Sequence, residues 1–408
     1  MLKKNILNLF TNQIFSYIVP LLLLPYLSRS LSIKYLGLYV LSLSFVNFGS
    51  VIINYGFDIS IAKKIAEGEN TKLKISQFLY NVNAIKLILS FLTTISIVVV
   101  NLITDYFNNL EILIICLTLI STSFNLNWLF QGLEKIYIVS RVTIFTRLIS
   151  ISLIFLTVKD DSDFIYLLTI NFFQAFIALI IAYLIIFNWG ISPLKTDIKS
   201  TVHIAKDSTE YFISRLGVSL YSTSCSFFLG IFGGSLQQVA IYGVAEQLYR
   251  AGISALSAVS TPLTPYMART KNYNVFFKLV TGTIFITLLG GSIGIIYGTE
   301  IIKLIFGNNY IQSKQILDIF MLTIPISVLG MLFGYPALIP LRKTKIANFS
   351  VIYAGILQLV LIFLFLILNI NLTAMTVVFI YFICESLVLL IRLSTFIYSY
   401  RNKKNPQS

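Results

Sequence analysis

Residues Asn5 to Ala66 read NILNLFTNQIFSYIVPLLLLPYLSRSLSIKYLGLYVLSLSFVNFGSVIINYGFDISIAKKIA, and the fold turns on how that stretch is taken. It holds two apolar runs of about 20 residues, the length a helix needs to cross the hydrocarbon core of a bilayer. The first ends in Pro25-Tyr26-Leu27-Ser28-Arg29, followed by a short turn containing Gly37. The first run carries Asn12, Gln13, Pro20 and Pro25. The second starts near Tyr35 and ends in Asn54-Tyr55-Gly56-Phe57, after which a basic loop is expected to begin with Lys63 and Lys64. Amides and prolines inside a span are tolerated where they face protein or a wet cavity instead of lipid. The pair reads as a helical hairpin in the wall of a pore or cleft.

Composition extends that reading to the whole chain. Of 408 residues 57% are hydrophobic and 11% charged, with mean hydropathy +0.86. A soluble globular chain carries about 25% charged residues. The expectation is an all-α polytopic membrane protein. The net charge of +14 is spread over short loops and builds no soluble basic domain, so it reports topology and not nucleic acid. Cys116, Cys225 and Cys384 lie inside apolar spans without ligand spacing, which suggests neither a disulfide framework nor a metal site. Met1-Leu2-Lys3-Lys4 precedes an apolar run too long for a signal peptide, with no small-x-small cleavage site after it. It reads as an uncleaved first span.

About twelve spans are expected, near 6–27, 35–55, 81–103, 110–130, 141–158, 164–187, 208–232, 238–262, 275–298, 313–335, 345–368 and 374–398. One set of loops and ends holds most of the Lys and Arg, from Lys3 and Lys4 through Lys63, Lys64, Lys195 and Lys199 to Arg342, Lys343 and Lys404. The alternate set holds only Arg29, Lys34, Lys159, Lys303 and Lys314, together with acids such as Asp160, Asp161 and Glu300. By the positive-inside rule both termini are cytoplasmic. Residues 188–207 form a basic cytoplasmic linker between a six-helix lobe, 1–187, and a second, 208–408. Transporters are often built from two such halves. Span 10, with Pro325, Gly330 and Gly334, is expected to bend or break.

Ionisable groups inside spans cost at least about 2.5 kcal/mol each, so they line polar paths or pair with one another. Lys86 and Glu210 lie near the cytoplasmic ends, where a lysine can snorkel to the interface. Arg147 and Arg215 lie deeper. Arg250 is mid-span with Glu246 one turn earlier, a spacing that allows either a self-neutralising pair or a phosphate ligand. Glu385 and Arg392 share a face of span 12, and Glu385 is a candidate carrier of a coupling proton. Tyr221, Ser222 and Thr223 of span 7, like Asn12 and Gln13, are candidates for a polar cavity wall. The single histidine, His203, has no nucleophile partner, and neither GxxxxGK[ST] nor GxGxxG occurs. No catalytic constellation is visible, so a non-enzymatic role is expected.

PLLLLPYLSRSL (20–31), YLGLY (35–39) and NYGFDISIAKKIA (54–66) closely resemble the opening of the Wzx-type O-antigen and polysaccharide flippases. These belong to the multidrug/oligosaccharidyl-lipid/polysaccharide exporter superfamily. NWLFQGLEK (127–135), ISRLGVSLYST (213–223), FLG (228–230), VAIYG (239–243) with Ala245-Glu246, and TPL with PYMAR (261–269) continue the match. The resemblance implies alternating-access translocation of undecaprenyl-pyrophosphate-linked oligosaccharide units, of O-antigen or capsule, across the bacterial inner membrane. Arg29, Arg147, Arg215 and Arg250 would hold the pyrophosphate, the lipid bilayer would hold the tail, and no cofactor beyond a coupling proton or other cation is implied. Polymerase and chain-length proteins of the same pathway are further partners it suggests; nucleic acid is not one. The alternatives are a multidrug or other lipid-linked substrate exporter of the superfamily and, from another class, a membrane O-antigen polymerase or ligase. The absence of Asp or Glu from the interior of spans 1–6, away from their ends, favours an anionic substrate, and the short outside loops disfavour a polymerase.

Overall fold

The computed structural model describes residues 22–404. Asn12, Gln13, Pro20 and most of the expected first span therefore lie outside the described residues. All regular structure among the described residues is helical. The chain divides into two compact units, 1–216 and 217–408. The first unit contains α1 (helical residues 22–30), α2 (Ile33–Asn54), α3 (Phe57–Ala66), α4 (Lys72–Thr104), α5 (Asn109–Ser123), α6 (Asn127–Gly132), α7 (Ile136–Thr157), α8 (Phe164–Asn188) and most of α9 (Ile198–Ser222). The second contains the end of α9, then α10 (Cys225–Phe232), α11 (Leu236–Thr270), α12 (Tyr273–Ile296), α13 (Gly298–Phe306), α14 (Ser313–Leu332), α15 (Tyr335–Leu338), α16 (Thr344–Ile367) and α17 (Ala374–Lys404).

Nine helices among the described residues are long and apolar enough to cross a membrane. Their packing inverts that of a soluble protein. On α4, Leu87, Ile88, Phe91 and Ile103 face outward, Ile103 with 79% of its surface exposed. Lys86, Ser90, Thr93 and Asn101 of the same helix are buried. With lipid outside, apolar side chains gain nothing by turning inward, while hydroxyls need acceptors. Ser90 and Thr93 find them one turn back, donating to Lys86 O (2.6 Å) and Leu89 O (2.7 Å). α9 and α11 are absent from the nine; they carry Glu210 and Arg215, and Glu246 and Arg250.

Local chemistry sets the breaks. Helix α2 stops because Tyr55 (φ 46°) and Gly56 (φ 75°) are left-handed. A Cβ on Gly56 would lie 2.7 Å from the Phe212 backbone nitrogen, so only glycine fits there. The basic loop expected after Phe57 is instead the amphipathic helix α3. It buries Phe57, Ile61 and Ile65 in one core with Trp128, Leu129 and Phe130 of α6, and thereby carries Lys63 and Lys64 on its exposed side. Span 4 divides into α5 and α6 at a turn built by its own amides: Asn125 Nδ2 donates to Thr122 O (2.6 Å), and Asn127 N donates to Asn125 Oδ1 (3.1 Å).

The region expected to be a linker is non-helical only over residues 189–197. Helix α9 begins at Ile198, ahead of the expected start at 208, so Lys199, His203, Lys206 and Asp207 stand on a helix. In span 10 the interruption falls after Leu332, between α14 and α15, while Pro325 is accommodated inside α14. In the second unit Gly217 and Gly355 let α9 and α16 touch backbone to backbone; a Cβ on Gly355 would lie 2.6 Å from Gly217 O.

Candidate functional site

In the first unit the candidate cations have different surroundings. Arg29 is exposed at the end of α1. Arg147, on α7, is partly buried beside Tyr39 of α2, whose hydroxyl lies next to Asn171 of α8. Among the described residues its guanidinium has neither a carboxylate nor a hydrogen-bond acceptor. Arg215 is exposed on α9 and also lacks a side-chain partner among the described residues. Helices α7, α2 and α8 thus place a cation, a phenol and an amide together with no anion among the described residues to balance them.

Lys86 does not snorkel. It is 1% exposed, and its Nζ donates to Ser123 O (2.6 Å) where α5 ends. Asp58 of α3 supplies the opposing charge, and its Oδ1, like Trp128 Nε1, is buried without a hydrogen-bond partner. The end of a neighbouring helix offers unused carbonyls closer than the interface does, which overrides the lysine's reach.

In the second unit Glu246 and Arg250 form a bonded pair on α11. Arg250 Nε donates to Glu246 Oε1 (3.0 Å), and Nη2 donates to the same oxygen (2.6 Å) and to Ser222 O (2.7 Å). Ser226 donates to Glu246 Oε2 (3.2 Å), so the pair also ties α11 to the α9–α10 break. The Arg250 side chain remains 44% exposed. Glu385 and Arg392, which share a face of α17, do not bond to each other. Arg392 instead donates to Ser350 Oγ (2.9 Å), Gly330 O (2.7 Å) and Ala347 O (3.0 Å), pinning α14 and α16 to α17. Glu385 is buried, and its Oε1 accepts from the Tyr381 hydroxyl (3.0 Å). That hydroxyl lies 2.9 Å from the Tyr249 hydroxyl, which lies 2.8 Å from Ser327 Oγ. No cation stands within ion-pair distance of Glu385 among the described residues.

Tyr221 is buried and stacks on Tyr381 at 6.3 Å. Ser222 donates to Val218 O (2.7 Å), and the hydroxyls of Thr223 and Ser219 are 2.7 Å apart. Much of this polar run is thus used on its own helix. Tyr249 and Ser327, which extend the hydroxyl chain behind Tyr381, escaped the sequence reading because they come from α11 and α14. Tyr381 was missed as well, although its place one turn before Glu385 on the same face is a signal that could have found it.

Outside the spans, Lys64 Nζ donates to Asp207 Oδ2 (2.5 Å), with His203 Nδ1 3.0 Å from the same oxygen. The Lys64 ammonium holds the Asp207 carboxyl below the usual aspartate range. On the α7–α8 connection, the Ser162 hydroxyl and backbone N–H do the same for Asp160.

Outward-facing apolar helices that enclose charges and hydroxyl networks mark a multi-pass membrane protein. The chain belongs to the polysaccharide biosynthesis protein family, whose model it matches over residues 2–271. It is 26% identical over 375 residues to the "Putative O-antigen transporter" of Escherichia coli (strain K12), covering 89% of each chain. It is 27% identical to the protein of that name from Shigella dysenteriae, over 89% of this chain and 92% of that one. Among solved structures the fold is similar to the inward closed conformation of the lipid II flippase MurJ (TM-score 0.73, 14% identity, 96% of this chain and 87% of that). It is also similar to an inward-facing MATE transporter of the MOP superfamily (TM-score 0.58, 14% identity, 93% and 94%). The family resemblance carried by the opening hairpin is borne out, and the protein is a multi-pass protein of the bacterial inner membrane.

Proposed function

We propose that this protein is a flippase for undecaprenyl-pyrophosphate-linked oligosaccharide repeat units, of O-antigen or capsule, moving them by alternating access from the cytoplasmic to the outer leaflet. The reading includes twelve spans with both termini cytoplasmic, as the distribution of Lys and Arg favours. The observation that carries it is Arg147. A partly buried guanidinium without an anion is costly in a membrane protein, and a pyrophosphate supplies the missing anion through bidentate, charge-assisted hydrogen bonds. Tyr39 and Asn171 stand beside it as further polar groups. Arg215 and Arg29 are accessible cations that can meet the phosphate on its way, whereas Arg250 is committed to Glu246 and Ser222. The names of the relatives point to the same substrate class.

Complementation of a flippase-deleted strain in the protein's own host, scored as O-antigen or capsule output, tests this. Wild type should restore output. Arg147→Gln at unchanged membrane level should lower it about tenfold, and Arg147→Lys less, because an ammonium cannot grip two oxygens at once. Failure of the wild type to restore output overturns the flippase; full rescue by Arg147→Gln removes Arg147 from the phosphate site.

Transport draws on protonation of Glu385 in the same proposal. The supporting observation is a buried carboxyl held only by neutral hydroxyls. Glu385→Gln should abolish the response of transport in proteoliposomes to an imposed pH gradient. An unchanged response would rule the proton out at this residue.

A further inference from the structure

At one end of the second unit a pocket of about 500 Å³ opens between the α11–α12 turn, the α15–α16 turn and the end of α17. Its polar lining is Lys271, Arg342, Lys343, Tyr398, Ser399 and Asn402. Three cations converge there with no acid in the lining. None of their side chains has a partner among the described residues. Two of them, Lys271 (φ 53°) and Arg342 (φ 58°), hold left-handed backbone that non-glycine residues seldom adopt. Ser399 Oγ is buried with no hydrogen-bond partner. A second basic pocket, in the first unit, behaves differently: Lys64, Lys74 and Lys195 share it with Glu69 and Asp197, and Lys64 is bonded to Asp207. Basic residues at helix ends are therefore neutralised in one place and left unbalanced in the other.

We propose that the Lys271–Arg342–Lys343 pocket binds the phosphodiester headgroup of an anionic glycerophospholipid. The Arg342 fork matches two phosphate oxygens, and the lysines add point charges. Ser399 and Asn402 supply neutral donors. Tyr398, 70% exposed, with Leu341 and Pro340 of the same lining, gives the glycerol and upper acyl chain an interfacial surface. The apolar lining residues Pro340 and Leu341, beside the ring of Tyr398, favour a lipid over a free phosphate ion. A zwitterionic headgroup brings its own ammonium to the three cations and is disfavoured. The proposal rests on the protein's membrane placement and not on its glycan cargo, so failed complementation leaves it standing.

The test uses the purified full-length protein equilibrated with equal amounts of phosphatidylglycerol and phosphatidylcholine, with retained lipid counted by native mass spectrometry. Wild type should retain phosphatidylglycerol roughly tenfold over phosphatidylcholine, as one or two charges near a surface would give. Lys271→Gln/Arg342→Gln/Lys343→Gln, still monodisperse in gel filtration, should bring the ratio near one. Lys195→Gln/Lys199→Gln should keep the wild-type ratio. Equal retention of both lipids by wild type overturns the proposal, as does equal loss in both variants, which marks diffuse attraction to positive charge. Stripping of phosphatidylglycerol by millimolar inorganic phosphate overturns the lipid assignment in favour of a soluble phosphate.

Discussion

Arg147 and Arg250 are the same residue type on two polar helix faces, yet their neighbours give them opposite roles. Arg250 sits one turn after Glu246 and spends its fork on that carboxylate and on Ser222 O. Arg147 has no acid on its own helix or on the helices packed against it, so its charge stays available. The spacing i,i+4 was legible for Glu246 and Arg250, and the expected self-neutralising alternative is the geometry found. A partner removed singly leaves a partly dry charge. Glu246→Ala or Arg250→Ala alone should destabilise the purified protein by about 1–2 kcal/mol, less than a fully buried pair because half the arginine is wet. The double variant should lose less than the sum. Thermal unfolding in detergent checks this: additive losses would show that the pair contributes nothing jointly.

Element boundaries in this chain follow from backbone requirements that the apolar pattern does not record. Hydrophobic runs located the spans, but a run cannot say where a helix turns off the membrane axis. Gly56 at φ 75° does that for α2, and Asn125 folding onto Thr122 does it for span 4. Early α9 residues such as Lys199, His203 and Lys206 looked like loop because they are polar, whereas polar residues continue a helix readily once it leaves lipid. Glycine at a helix crossing carries the sharpest consequence. With Gly355 facing Gly217 O at 2.6 Å for a would-be Cβ, Gly355→Leu must force α9 and α16 apart. A loss of roughly 1–3 kcal/mol, the usual range for overpacking, is expected. It should appear as a lower unfolding temperature and a lower yield of monodisperse protein; wild-type stability would mean the crossing is loose.

For the molecule as a whole, charge placement predicts an orientation that labelling can test. The cysteines Cys116, Cys225 and Cys384 are all buried, so introduced thiols can be read against a quiet background. Lys345→Cys and Lys195→Cys should react with a membrane-impermeant maleimide only in inverted vesicles, and Glu300→Cys and Glu111→Cys only in intact cells or spheroplasts. The reverse pattern would overturn the N-in/C-in topology, and labelling of all four from one side would overturn the span count between them. The division of the chain at 216/217 falls inside the continuous helix α9, where composition shows no break at all.

The amino-acid sequence by itself determined that this is a helical, multi-pass membrane protein of the polysaccharide biosynthesis family. Segment hydropathy, the bias of Lys and Arg, and the opening motif are local properties that survive without any tertiary contact. Only the tertiary structure decided which charges are spent. Lys86 is turned inward by Ser123 O, Arg392 is held by three groups on two other helices, and Glu385 is held by a hydroxyl that Tyr249 and Ser327 support from α11 and α14. The physical reason is range. A span is selected by the free energy of its own side chains in lipid, whereas a buried charge is stabilised by whichever donors and acceptors other helices bring within about 3 Å, a distance no linear spacing encodes.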